Sequence, residues 1–490
     1  MFFLIEYQSG KKKKILAQVS TGEGKSLIVA GMAIFWAISG QKVDVVTSND
    51  VLALRDSTLS VADGGLRDLY EYFKVGVANN CSQSQDDRAK AYNLAVVYGE
   101  LANFQRDYLL HTFYGLNVLG NRISQWLNRD SDFDCVIVDE VDCMLLDRGS
   151  NTLYLSHDIP GMEMLESLYV FIWERIKSSE NPALNPKLIF FFRKVIERER
   201  HIRIPEHLLA FVDRHLDTWL ANALRALELK QDEDYVIDQD RTDTSPDLNP
   251  QVIIIDPDTG TDQTTSQWDG ALHQFLQLKE GCKLTLQKLK AVFISNKEYI
   301  QKYDRLAGVS GTLGSLKERN YMTESYNCEY FSIPTALPKR FIYKMTKVLK
   351  TTESWLSSII DEIRETVLPG NEEEARSIII FCRTIKDVNI VHNHIKINFP
   401  KLVADNKVHR YIRDYEQFAF EGKQLEIGHV IIATNLAGRG TDIKISKELD
   451  NNGGLHICLT YLPQNERITE QAMGRSGRKG APGSGILILF

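Results

Sequence analysis

The stretch TGEGKS, Thr21 to Ser26, sets two glycines, a lysine and a hydroxyl between the apolar run ILAQV and the helical run LIVAGMAIFWAI. The order is strand, glycine loop, helix. Backbone N–H groups at a helix start are orphan donors, and the helix dipole adds to their pull on an anion. In that setting Thr21, Gly22, Glu23, Gly24, Lys25 and Ser26 form a cradle for the phosphates of a nucleotide. Lys25 would reach the β and γ phosphates, and Ser26 would hold Mg²⁺. The full pattern asks for a glycine where Val19 stands. Taken alone, the stretch fits a glycine turn as well as a cradle.

The run VIVDEVD places Asp139, Glu140 and Asp142 just after an apolar strand. Asp139 at a strand end suits a second hold on Mg²⁺, and Glu140 suits a base that activates water. An acidic loop at a strand end is common in α/β proteins. Acids and cradle on two strands of one sheet point together to nucleotide hydrolysis. Far downstream, QAMGRSGRKG carries Arg475 and Arg478 among glycines. Such arginines can cross a cleft to a γ-phosphate, where an arginine finger contributes about 10³ to 10⁵ in rate. A solvated basic turn is the plain alternative. In ATNLAGRGTDI, Arg439 and Asp442 are placed to couple lobe closure to the nucleotide.

These residues need two sheets to hold them. KVDVVTS and DCVIVDE are short, apolar and β-branched, as buried parallel strands are. With the helical run after TGEGKS they give a βαβα pattern and a doubly wound sheet. From about Ser150 to Asp240 the spacing turns helical, in YVFIWERI, KLIFFFRKVIERE and PEHLLAFVDRHLDTWLANALRALEL. QVIIIDPDTG returns to strand and turn. IPTALPKR reads as a linker, and SIIIFC, HVIIAT and HICLTYL open a second α/β region.

The chain has 490 residues, 43% of them hydrophobic and 25% charged, with a formal net charge of −7. That length suits two to four domains. The acidic balance weighs against a nucleic-acid partner. Seven scattered cysteines without a CxxC pair suggest reduced thiols and neither a zinc site nor a disulfide framework. No apolar run approaches the roughly 20 residues of a membrane span, and the start is too short for a signal peptide. A cytoplasmic or peripheral membrane location is the expectation.

VVTSNDVLALRD, WDGALHQFLQLKEG, GVSGT, IATNLAGRGTDI, GGLHI and GRSGRKG resemble, in order and wording, segments of the SecA family. These are motor ATPases of protein translocation within the superfamily 2 helicase-like motors. The resemblance implies an α/β chain of two RecA-like parallel-sheet lobes, with ATP and Mg²⁺ between them and a mainly helical insert in the first lobe. It divides the chain into a first lobe at 1–149, an insert at 150–284 resembling the preprotein-crosslinking domain, a return to the first lobe at 285–335, and a second lobe at 336–490. It implies an unfolded polypeptide as substrate and a membrane channel as partner. Lys25, Asp139, Glu140, Arg475 and Arg478 would be catalytic, and Thr312 and Asp442 would pass nucleotide state between lobes. The aromatics of the insert, Phe190 to Phe192 and Trp219, read as ordinary helix core.

The sequence also departs from the family. Gln8 stands closer to TGEGKS than the family's adenine-reading glutamine, which leaves adenine selectivity open. The ends of the chain lead to the expectation of an ATPase core without the family's helical scaffold, two-helix finger and cysteine-rich tail. TYLPQNERITEQ, Thr460 to Gln471, has fewer charges than the family form, so altered or lost coupling is expected there. Two other readings stand beside the translocase: a nucleic-acid helicase, and a non-catalytic interaction protein that kept the fold.

Overall fold

The computed structural model describes residues 14–20, 22–123, 132–157, 161–179, 184, 186–198, 204–239, 249–255, 262–263, 266–285, 289–370, 374–412, 420, 423–434 and 443–490. Labels are given to the elements that build the site; other elements go by residue range. The first lobe is a sheet of parallel strands: β1 (Lys14–Val19), β2 (Val43–Thr47), β3 (Val77–Asn79), β4 (Val96–Glu100), β5 (Phe133–Asp139), β6 (Tyr303–Ser310) and β7 (Cys328–Ile333). Their spatial order is β7-β1-β6-β5-β2-β4-β3. This order fixes the site. β6 lies between β1 and β5, and all three run the same way. The loops after β1, β5 and β6 therefore leave one edge of the sheet side by side, where open α/β sheets bind their ligands.

Burial explains why these strands read as unbroken apolar runs. Successive side chains point to opposite faces. Val136 and Val138 enter one core with Leu16 and Val46. Cys135 and Ile137 enter the other with Ala17 and Val45. With helices on both faces, no position is left for a polar alternation. The second lobe repeats the plan with β8 (Arg340–Tyr343), β9 (Ile378–Phe381), β10 (Val408–Tyr411), β11 (Val430–Ala433), β12 (His456–Leu459) and β13 (Pro482–Leu489), in the order β8-β13-β12-β9-β11-β10. These pairings are parallel as well. Ile378 and Ile380 face one core, Ile379 and Phe381 the other.

Three helices matter for the site: α1 (Lys25–Ile38), α2 (Leu316–Tyr326) and α3 (Glu466–Met473). The insert holds the helices Glu166–Lys177, Pro186–Arg198, Glu206–Glu228 and Leu272–Glu280 around one apolar cluster. It also holds a small antiparallel sheet built on Tyr235–Asp238 and Gln251–Ile255. An antiparallel ribbon, Thr152–His157 with Leu289–Ser295, leads into it from the first lobe. Trp219 and Phe192 are fully buried, as helix core should be. Phe190 and Phe191 differ: 59% and 42% of their surface is exposed. The helix turns Phe192 inward and leaves its two neighbours on the solvent side.

Away from the site, Arg122 locks the far side of the first sheet. Its side chain is 1% exposed and lies 2.6 Å from Asp44 of β2. It also donates to the carbonyls of Val43 and Leu94 at 2.7 and 2.8 Å. Tyr303 donates to the other oxygen of Asp44 at 2.7 Å. Breaking a buried ion pair by removing one partner leaves an uncompensated charge. Arg122→Ala is expected to lower stability by about 3 to 5 kcal/mol, read as a shift of the first urea transition followed by circular dichroism.

Candidate nucleotide site between the lobes

β1 ends at Val19, which is 1% exposed and packs in the first-lobe core. The position where the full motif asks for glycine is thus a core position of the strand. The loop proper begins after it. Gly22 and Gly24 have φ of +90° and +82°, in the left-handed region that glycine enters without steric cost. Gly24 is the N-cap of α1, it makes no side-chain capping bond, and the first turn of α1 has no acidic residue. The N–H groups of that turn are left for an anion. Thr21 lies outside the described residues.

Lys25 opens α1 and its ammonium pairs with the carboxylate of Glu140. Burial alone would lower the Lys25 ammonium, but the charges of Glu140 and then Asp139 outweigh it and hold it above its ordinary value. Glu140 has φ of +57°, a backbone conformation that costs a non-glycine residue energy and clusters at functional sites. Beside it, burial pushes the Asp139 carboxyl up to about 7, although Lys25 draws it down. A carboxylate at the end of β5, on the same sheet edge as the serine of the cradle, suits a hard divalent cation. Ser26 and Asp139 are the residues that would hold Mg²⁺.

Asp142 is fully buried. It accepts the hydroxyls of Ser310 at 2.7 Å and Thr312 at 2.9 Å, at the end of β6. Its third donor is the amide of Gln471, from α3 of the second lobe. One turn earlier on α3, Arg467 is 5% exposed. It donates to Asp147 at 2.7 Å and to Glu318 at 2.7 Å. Arg467 and Gln471 are four residues apart and share a helix face, on which the next position is Arg475. TYLPQNERITEQ, where altered or lost coupling was expected, supplies contacts between the lobes through Arg467 and Gln471.

The arginines follow from that docking. Arg475 is 7% exposed, just beyond the end of α3. Arg478 donates to the carbonyl of Gly474 at 2.9 Å and lies against the cradle: a Cβ on Gly22 would meet its side chain at 3.4 Å. The linker closes in from a third side, where the amide of Ala336 donates to Glu23 at 3.4 Å. The structure brings together Gly22, Glu23, Gly24, Lys25, Ser26, Asp139, Glu140 and Arg478, with Thr312 one hydrogen bond away on Asp142. Arg439 and Asp442 lie outside the described residues. Arg467, Gln471, Asp147 and Glu318 were not singled out from sequence. The spacing of Arg467, Gln471 and Arg475 was the available signal.

The chain is similar to known proteins along most of its length. Residues 10–320 match the SecA DEAD-like domain, and residues 358–480 match the helicase conserved C-terminal domain. Protein translocase subunit SecA of Campylobacter concisus is 30% identical over 491 residues, covering 96% of this chain and 52% of its own. The same subunit from Campylobacter jejuni is 31% identical with the same coverage. The chain thus spans about half the length of these relatives. Among solved structures, that of S. tokodaii Xpd4 is 12% identical with a TM-score of 0.46, covering 99% of this chain and 93% of its own.

The raised Asp139 carboxyl makes a pH prediction. The folded chain binds this proton more tightly than the unfolded chain, so its contribution to stability is full below the unfolded value near 4 and is lost as pH rises towards about 7. In metal-free buffer, Asp139→Asn is expected to remove this fall, which the midpoint of thermal unfolding measured across that range will show.

Proposed function

The chain belongs to the SecA family, and from that premise we propose that it hydrolyses ATP, with Mg²⁺, and couples the cycle to the movement of an unfolded polypeptide. The observation that carries this reading is the meeting of three parts in one place. Lys25 holds Glu140, and Arg478 of the other lobe lies on Gly22 of the cradle. No part alone distinguishes an ATPase from a glycine turn, an acidic loop or a basic turn.

The roles follow from chemistry. The N–H groups at the start of α1 and the Lys25 ammonium receive the phosphates. An incoming phosphate competes with Glu140 for Lys25, and a Glu140 carboxylate so released takes a proton from the attacking water. Ser26 and Asp139 would hold Mg²⁺, which would supply positive charge against the phosphates. Arg475 and Arg478 present positive charge from the second lobe at the transferring group, and their guanidinium groups cannot lose it.

A polypeptide substrate fits better than a nucleic acid. The chain carries a net charge of −7. Among the described residues neither strand of the ribbon into the insert pairs with a third, and an extended main chain can pair with such an edge. Tyr154 and Phe293 on that ribbon are 40% and 63% exposed, with ring centroids 5.5 Å apart. The insert adds exposed Phe190 and Phe191. Among the described residues no helix is long and apolar enough to cross a membrane. A membrane channel as partner, and a cytoplasmic or peripheral membrane location, are part of this proposal.

Steady-state hydrolysis by the purified chain tests it. Glu140→Gln is expected to lower turnover by about 10² to 10⁴ while nucleotide binding persists. Arg478→Ala is expected to lose about 10³ or more. Unfolded polypeptide should stimulate the wild type and RNA should not. Stimulation by RNA alone, with strongly salt-dependent affinity, would favour a helicase. Absence of turnover under every condition would favour a binding module.

A further inference from the structure

The loop after β6 holds a contact that hydrolysis by itself does not explain. Gly314 and Ser315 lead into α2, whose start is a capping box: the Ser315 side chain accepts the Glu318 amide, and Glu318 reaches back to the Ser315 amide at 2.7 Å. That box occupies one carboxylate oxygen of Glu318, which also takes the Ser315 hydroxyl at 2.9 Å. The other oxygen is directed across the cleft, where Arg467 Nε donates to it at 2.7 Å. A helix cap needs no arginine from another lobe.

Two neighbours make room for this contact and extend it. Gly314 has φ of +73°, and a Cβ there would stand 2.3 Å from Glu318 Oε2 and 3.0 Å from Arg467 Cδ. Only a residue without a side chain lets carboxylate and guanidinium meet over it. Arg319, next to Glu318, donates to the Gly314 carbonyl and, at 3.1 Å, to Gln18 of β1. Gln18 is the next-to-last residue of the strand that feeds the cradle. Burial would raise the Glu318 carboxyl, but the bonds from Ser315 and Arg467 reverse that and hold it below its ordinary value.

We propose that Glu318 is a positioning residue for the reaction: it holds Arg467, and so α3, in the register that delivers Arg475 and Arg478 to the cradle, while Arg319 ties the same turn to the root of the cradle at Gln18. This rests on the reading of the site as an ATPase. Asp147 holds the end of the Arg467 fork and Asp142 holds Gln471. Glu318 adds the side contact on Nε that fixes the rotation of the guanidinium. The first turn of α2 then registers whether the second lobe is docked.

The test uses the full chain with four variants. Glu318→Gln keeps an acceptor for the capping box and removes the charge. It should lower kcat about tenfold, the worth of one charge-assisted hydrogen bond, and leave KM for ATP within about twofold. Ser315→Ala removes the cap and leaves Arg467 its partner, so it should lower the thermal midpoint and keep kcat. Gly314→Ala should lower kcat as Glu318→Gln does. Arg467→Gln combined with Glu318→Gln should cost less than the product of the two single losses. Fluorophores at exposed Lys74 and Lys396 add a readout that needs no turnover: Glu318→Gln should lower energy transfer between the lobes and steepen its loss with salt. Wild-type kcat in Glu318→Gln, multiplicative losses, or transfer unchanged by the substitution would overturn the proposal. A wild type without turnover would overturn the ATPase reading, and the fluorescence would still decide this one.

Discussion

A buried carboxylate that has to be satisfied organises this molecule. Asp142 has no access to water, and an unpaired charge in that position costs several kcal/mol. Its donors come from both lobes: Ser310 and Thr312 from the end of β6, and Gln471 from α3. None of the three is near it in sequence. Arg467 of the same helix α3 adds a guanidinium 4.0 Å from it, so the carboxylate is satisfied with the lobes in this relative position, the one in which Arg478 lies against Gly22. Asp142 lies three residues after Asp139 and two after Glu140, so the same short loop carries the docking contacts and the proposed catalytic acids.

The sheet makes that economy possible. Because β6 lies between β1 and β5, the cradle, the Ser310–Thr312 turn and the acidic loop leave the same edge together. Side chains of ordinary length then reach between them. Glycines set the spacing where side chains would intrude: Gly22 admits Arg478, and Gly314 admits Glu318 and Arg467. The strained backbone of Glu140 belongs with these. It points the carboxylate at Lys25 rather than continuing the strand.

The sequence made much of this legible for a physical reason. Strands buried on both faces have no polar alternation, so KVDVVTS and DCVIVDE read as parallel strands at sight, while the glycine loop between strand and helix, taken alone, fitted a turn as well as a cradle. Val19 is a core residue of β1, which explains why the motif's first glycine is missing without loss of the loop. Arg467, Gln471 and Glu318 were not legible in the same way. Each is a polar residue on a short helix, and its meaning lies in a partner many residues distant. Glu318 is further masked, since SLKE is also an ordinary capping box. The insert aromatics divide for a local reason: helical rotation buries Phe192 and turns Phe190 and Phe191 outward.

The most direct test of the account is single-turnover ATP hydrolysis by Asp142→Asn beside the wild type, with nucleotide affinity measured in parallel. Asparagine fills the same space, but it loses the charge and turns a donor towards Ser310, Thr312 and Gln471. If docking of α3 on Asp142 delivers the arginines, ATP will bind as before and the hydrolysis step will slow by about 10² or more, two decades being roughly 3 kcal/mol. Hydrolysis at the wild-type rate, with the variant folded and ATP bound, would mean that the arginines reach the phosphates without this docking, and would contradict the account.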